Sequence, residues 1–261
     1  MPDAVVRAAS TVLAHAPGLA LHGSKPSRTL ARDPDGRARF VSGLRSYDEA
    51  LRYPPHQAFL GTCHPRELPQ RPWVDETLPG AKRFAPFGEF LPEQALLAVM
   101  ALVDEFGLLT LAPELAESTS GELACHPLAA QLDLPAISLA AGDVVAAVEK
   151  GALPLHLPPD NLVAALRAAH EEDEALTAPV LLENLACKAT GTLALLHLLH
   201  DNELDPVAVQ YTISCSEEAV GDRYQRGGGN MGKAIAAAAG LHESSGADVK
   251  NFCAAPVPAL V

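Results

Sequence analysis

Apolar residues recur at helical spacing in several stretches of the chain. Leu96, Leu97, Met100, Val103 and Phe106 form one stripe, with Pro92 just before it and Gly107 close behind. This predicts a helix over 93–106, because proline suits a helix start and glycine its end. Leu182, Leu185, Ala186, Ala189, Leu193, Leu196 and Leu199 mark the longest helix, over 179–200, with Thr177 as N-cap. Ala189 and Gly191 leave little side-chain volume in its middle, which permits close packing against another element. Shorter helices are expected over 144–150, between Asp143 as N-cap and Gly151, and over 231–239, stopped by Gly240.

Strand signals lie between these helices. Leu153-Pro154-Leu155-His156-Leu157 alternates and predicts a strand over 153–157, followed by a turn at Pro158-Pro159-Asp160-Asn161. Residues 162–166 can return as a hairpin partner, although the alanines make a helix over 162–170 nearly as plausible. Val209, Tyr211 and Ile213 alternate with Gln210, Thr212 and Ser214, which predicts a strand over 209–215; a second, over 247–252, leads to Cys253. Within 5–21 there is room for one or two strands, and 24–43 reads as a polar, basic surface loop. Prolines around 53–55, 71–73 and 84–88 indicate ordered irregular structure, and the acid run at 171–174 a solvated surface. The organisation divides near residue 175. Residues 1–175 form one region, and 176–261 read as helix, strand, loop, helix, strand and helix start, an α/β pattern.

Composition narrows the function classes. The chain has 261 residues, 48% of them hydrophobic but only 5% aromatic, so alanine and leucine fill the core. A net charge of −13 repels polyanions, which argues against nucleic acid and anionic membranes as partners. No apolar run approaches the roughly 20 residues that span a bilayer, and residues 1–9 lack the pattern of a secretory signal. Cys63, Cys125, Cys187, Cys215 and Cys253 are odd in number and widely spaced, without a Cys-x-x-Cys pair. Reduced thiols in the cytoplasm fit this usage better than a disulfide framework or a zinc ribbon.

Chemistry concentrates late in the chain. Cys253 follows the expected strand 247–252 and precedes Ala254-Ala255-Pro256, which reads as the first turn of a helix. Backbone N–H groups at such a start favour a thiolate and can bind a developing oxyanion, so the placement suits a nucleophile for acyl transfer. The alternative is a small buried hydrophobe, a common fate of cysteine. Arg226-Gly227-Gly228-Gly229-Asn230 precedes a helix, and its amides make an anion cradle or simply a packed turn. It matches neither a Walker loop nor a dinucleotide fingerprint. Glu217 stands at a strand end, where it can act as a base or orient a partner; a capping acid is the plainer reading. Cys215, beside it, reads as buried filler or a second thiol. His197 and His200 share a helical face without a fixed acidic or thiol ligand nearby, so no metal site is expected.

Beyond these single features, Glu217-Glu218-Ala219-Val220-Gly221-Asp222, Gln225-Arg226-Gly227-Gly228-Gly229-Asn230 and Asn251-Phe252-Cys253-Ala254-Ala255-Pro256 resemble the beta subunit of component C of the glycine/sarcosine/betaine reductase complex. So do Val12-Leu13-Ala14-His15-Ala16-Pro17, Tyr53-Pro54-Pro55-His56-Gln57-Ala58, Arg71-Pro72-Trp73, Phe87-Gly88-Glu89 and Leu182-Glu183-Asn184-Leu185, so the likeness covers nearly the whole chain. That family is similar to thiolases and ketoacyl synthase III enzymes. The resemblance implies a thiolase-like αβαβα fold, of which these residues form the leading half with a large family-specific N-terminal region. It implies an acetyl group held on Cys253 as a thioester and released by phosphate as acetyl phosphate, with phosphate as co-substrate and no bound cofactor. Arg226, Gly227, Gly228, Gly229, Asn230 and Glu217 are the candidates for the phosphate and acyl site. The implied partners are the component C alpha subunit and the carrier selenoprotein, in a hetero- or homo-oligomer. The catalytic partners of Cys253 are expected in a second half, without which this chain alone is expected to be inactive. A ketoacyl synthase III-type condensing enzyme and a non-catalytic assembly subunit are the alternative readings.

Overall fold

The computed structural model describes residues 5–23, 25–132, 139, 141–170, 172–216 and 230–260. Strand β1 (Thr11–His15) is followed by a π-helical turn, Leu19–Gly23. Only one strand therefore forms within 5–21. Helices α1 (Lys25–Leu30) and α2 (Pro34–Ser42) occupy the stretch read as a loop. No residue of α2 is buried; it is set locally, by Pro34 in its first turn and by Asp33, whose side chain accepts the Gly36 amide at 2.8 Å. A helix without an apolar stripe is invisible to periodicity. Helices α3 (Tyr47–Leu51) and α4 (Pro54–Phe59) follow, then β2 (Phe84–Ala85) and β3 (Gly88–Pro92).

Helix α5 (Glu93–Val103) is the central element, with Ala95 through Met100 all buried. It ends before the predicted 106, and Phe106 is exposed. The reason is Asp104. Its carboxylate accepts the amides of Leu108 (2.6 Å) and Leu109 (2.8 Å), which turns the chain into β4 (Leu109–Leu111). Helix α6 (Pro113–Ala124) escapes the sequence pattern because Ser118, Thr119 and Ser120 interrupt it. Their hydroxyls instead donate to the Leu115 and Ala116 carbonyls of the same helix. Helix α7 (Val144–Glu149) starts as expected, Asp143 accepting the Ala146 amide. Strands β5 (Leu153–Leu157) and β6 (Asn161–Leu166) form the antiparallel hairpin, so strand rather than helix follows residue 161.

Helix α8 (Ala178–Asp201) is the long helix. Thr177 occupies its N-cap position without a side-chain cap bond. Strand β7 (Tyr211–Ser216), helix α9 (Met231–Ala238), strand β8 (Ser245–Lys250) and the short helix α10 (Pro256–Ala259) complete the described chain. The architecture is mixed α/β with three small sheets, ordered β1-β3-β2, β4-β6-β5 and β7-β8 among the described residues. β1 and β3 are parallel, as are β7 and β8. One apolar cluster runs from Leu91 through α5, β6 and α8 to Ala239, drawing on both sides of residue 175.

Candidate functional site

Cys253 follows the unit formed by β7, α9 and β8, in which helix and strands approach closely at Gly232 and Gly246. Strands β7 and β8 pair in parallel from Tyr211 opposite Ser245 to Ser216 opposite Lys250. Parallel neighbours need a crossover, and α9 supplies it. A Cβ on Gly232 would stand 2.9 Å from both the Thr212 and Ala247 carbonyl oxygens, and one on Gly246 would stand 2.9 Å from the Lys233 nitrogen. Only glycine permits this approach.

Side-chain bonds lock the unit. Asn230 accepts the Lys233 amide (2.9 Å) and donates to the Gly246 carbonyl (2.6 Å). Asp248 accepts the amides of Met231 (3.0 Å) and Gly232 (2.9 Å). The first three amides of α9 are therefore occupied by protein groups. Asn230 acts here as a cap and strand clamp, and any anion cradle must come from the residues before it. Lys233 donates to the carbonyls of His242 (2.8 Å) and Ser244 (2.6 Å), which commits its ammonium to the turn after α9. Glu217, Arg226, Gly227, Gly228 and Gly229 lie outside the described residues.

After β8 the chain makes a single 3-10 turn, Phe252–Ala254, and then enters α10. Cys253 thus lies at a strand-to-helix junction, but in the 3-10 turn and not in the helix itself. It is exposed in this chain. Cys215 is exposed as well, a correction to its reading as buried filler. Pro256 and Pro258 both fall in the four-residue α10 and carry no N–H, so this helix start offers a thiolate less than an ordinary one would.

A second polar centre is buried at the heart of the molecule. Glu89 on β3 is fully buried. Its Oε1 meets Nε2 of His126 at 3.1 Å and Nε2 of His197 at 3.3 Å, and its Oε2 accepts from Arg83 Nε at 3.4 Å. Arg83 in turn pairs with Glu122 on α6. His197 Nδ1 faces Asp201 Oδ2, a turn further along α8, at 3.2 Å. Burial works to raise the Glu89 pKa, but the hydrogen bonds from His126 and His197 and the charge of Arg83 outweigh it and hold the carboxyl at about 2. Burial likewise pulls His197 down, yet the bonds and charges of Glu89 and Asp201 raise it overall. The sequence pattern pairs His197 with His200 and misses Glu89, 108 residues before His197, and His126, which lies 37 residues beyond Glu89. The one available signal was a carboxylate inside the apolar strand Gly88–Pro92.

A further buried carboxylate, Glu93, opens α5. It accepts the amides of Gly18 (2.8 Å) and Leu19 (2.6 Å). Burial pushes its pKa up to about 7 against the pull of those two bonds.

The motif resemblance is borne out by comparison with curated proteins. The chain is 36% identical, over 268 aligned positions, to the glycine/sarcosine/betaine reductase complex component C subunit beta of Peptoclostridium acidaminophilum. The alignment covers 98% of this chain and 52% of that protein, so the chain spans about half the length of the curated relative it matches. No family model and no solved structure matches the chain. No helix among the described residues is long and apolar enough to cross a membrane.

Proposed function

We propose that this chain is part of an acyl-transfer subunit of a glycine, sarcosine or betaine reductase complex, with Cys253 as its nucleophile. The observation that carries the reading is an exposed cysteine in the turn after a clamped parallel strand, in a chain matched over nearly its whole length by a component C subunit beta. The acyl carbon passes from its donor to Cys253 Sγ, and the donor's leaving group keeps the electron pair. A phosphate oxygen then attacks the thioester carbonyl, the C–S bond breaks, and acetyl phosphate departs as the thiolate re-forms.

The architecture proposed for the whole protein is thiolase-like, and the β7-α9-β8 crossover is the kind of unit such a fold repeats. Tyr211, Ile213 and Cys215, alternate residues of β7, are exposed. Arg226 and the glycines 227–229 are the proposed phosphate contacts, with Glu217 beside them. Asn230 takes a positioning role, since its side chain is committed to Lys233 and Gly246. The proposed partners are the component C alpha subunit and the carrier selenoprotein, and the proposed location is the cytoplasm.

The test is turnover of the assembled complex with labelled substrate, followed by mapping of the acyl label. Label is expected on the peptide containing Cys253, and Cys253→Ser is expected to abolish both label and acetyl phosphate. Full activity of Cys253→Ser would instead make this an assembly subunit. Arg226→Ala is expected to slow release by phosphate more than acylation.

A further inference from the structure

Three side chains of the kind that bind transition metals meet at the buried centre. Donor atoms of Glu89, His126 and His197 all lie within 4.8 Å of one another. The hydrogen bonds around them argue for a different occupant. His126 Nδ1 already accepts the Leu128 amide, at 3.0 Å. Its ring proton therefore sits on Nε2, the atom facing Glu89, and that atom has no lone pair left for a cation. His197 is placed the opposite way. Its Nε2 faces Glu89 Oε1 and its Nδ1 faces Asp201 Oδ2, at 3.3 and 3.2 Å. An ionised carboxylate only accepts, so both contacts are hydrogen bonds only when both ring nitrogens carry hydrogen. On the far side of Glu89 the Arg83 guanidinium already supplies a fixed positive charge.

We propose that this centre binds a proton and not a metal ion: His197 stands as an imidazolium bridging Glu89 on β3 to Asp201 on α8, and loss of that proton loosens the bridge between sheet and helix. The groups facing His197 are Glu89 from β3, Asp201 from its own helix, and the His126 ring from the segment after α6, 6.0 Å away between centres. Behind these stand Arg83 on Glu89 and Glu122 on Arg83, and His200 shares Asp201 through Oδ1. With the His197 proton left out, the cluster holds the carboxylates of Glu89, Asp201 and Glu122 against the guanidinium of Arg83, which pairs with Glu89 and Glu122. The field of the cluster therefore retains a proton. The bridge is complete below the ordinary histidine value of about 6.5 and is lost as the pH rises through the raised value of the folded protein.

Nitrogen-15 NMR of the histidine rings in the wild-type 261-residue chain tests this directly. At about pH 6.5, His197 is expected to show both ring nitrogens protonated and to keep them so to higher pH than an exposed histidine. His126 is expected to show its proton on Nε2 alone. A singly protonated His197 at that pH overturns the proposal. So does a shift of both Nε2 signals on adding zinc ion that is absent in Glu89→Gln, because a metal would then be the occupant. The wild-type unfolding midpoint is expected to fall as the pH rises above about 6.5, and that component is expected to be missing in His197→Gln. An equal fall in the variant overturns the bridge. If His197→Gln does not fold, the wild-type ring signals decide.

Discussion

Asp248 on β8 holds the amide of Gly232, in the first turn of α9, at 2.9 Å. The same carboxylate takes the Met231 amide, so one side chain closes the start of the crossover helix onto the strand that leads to Cys253. An anion is favoured at a helix N-terminus by the unpaired amides there, and here the anion belongs to the protein itself.

Asp248→Ala is therefore expected to destabilise the fold by about 1–2 kcal/mol, the usual cost of losing a cap. It should also loosen the segment that carries Cys253. Denaturant unfolding checks the first effect, and faster hydrogen exchange at Met231 and Gly232 checks the second.

Gly232→Ala meets backbone, not flexible side chains. The new methyl would lie 2.9 Å from two carbonyl oxygens and 3.1 Å from the Ser214 nitrogen. Helix α9 must then lift from the sheet, at a cost of about 1–3 kcal/mol. Gly191→Ala meets only the Ile235 side chain, at 2.6 Å, which can turn aside. The unfolding midpoint should fall further for Gly232→Ala than for Gly191→Ala.

Lys188 on α8 is buried and donates to the Val103 carbonyl at the end of α5 (2.8 Å) and to Glu105 (2.7 Å). Lys188→Met preserves the stem but leaves that carbonyl unpaired, an expected loss of about 1–3 kcal/mol by chemical denaturation. Glu105→Gln should cost much less, because Glu105 is mostly exposed.

Glu93 gives a pH dependence of its own. Its folded pKa, about 7, lies above the ordinary value of 4.5, so the folded state binds a proton that the unfolded chain has released in between. Stability from this group is complete below 4.5 and is lost as the pH rises through about 7. Glu93→Gln is expected to flatten that part of the profile. An unchanged slope between those two values would assign the dependence to other groups.

Caps and glycine stops marked α7 and α9 and alternation marked β5 and β7, while periodicity located α5 and α8, whose apolar stripes face the core. It also anticipated the close approach at Gly191, where α8 meets Ile235 of α9. It failed for α2, which has no buried face, and for α6, whose hydroxyls satisfy themselves within the helix. The exposure of Cys215 was also misjudged, since alternation does not say which face of a strand the fold covers.

The motifs and the segment around Cys253 were legible because they are local: a strand, a turn and a cysteine adjoin in the chain itself. The end of α5 at Val103, the occupation of the α9 amides by Asp248, and the meeting of Glu89, His126 and His197 were decided only in three dimensions. Asp104 finds its amides within five residues, Asp248 finds its own across 16 and 17, and Glu89 meets His126 and His197 across 37 and 108. Burial makes such pairing obligatory, yet nothing in the spacing of residues says which distant partner will satisfy it.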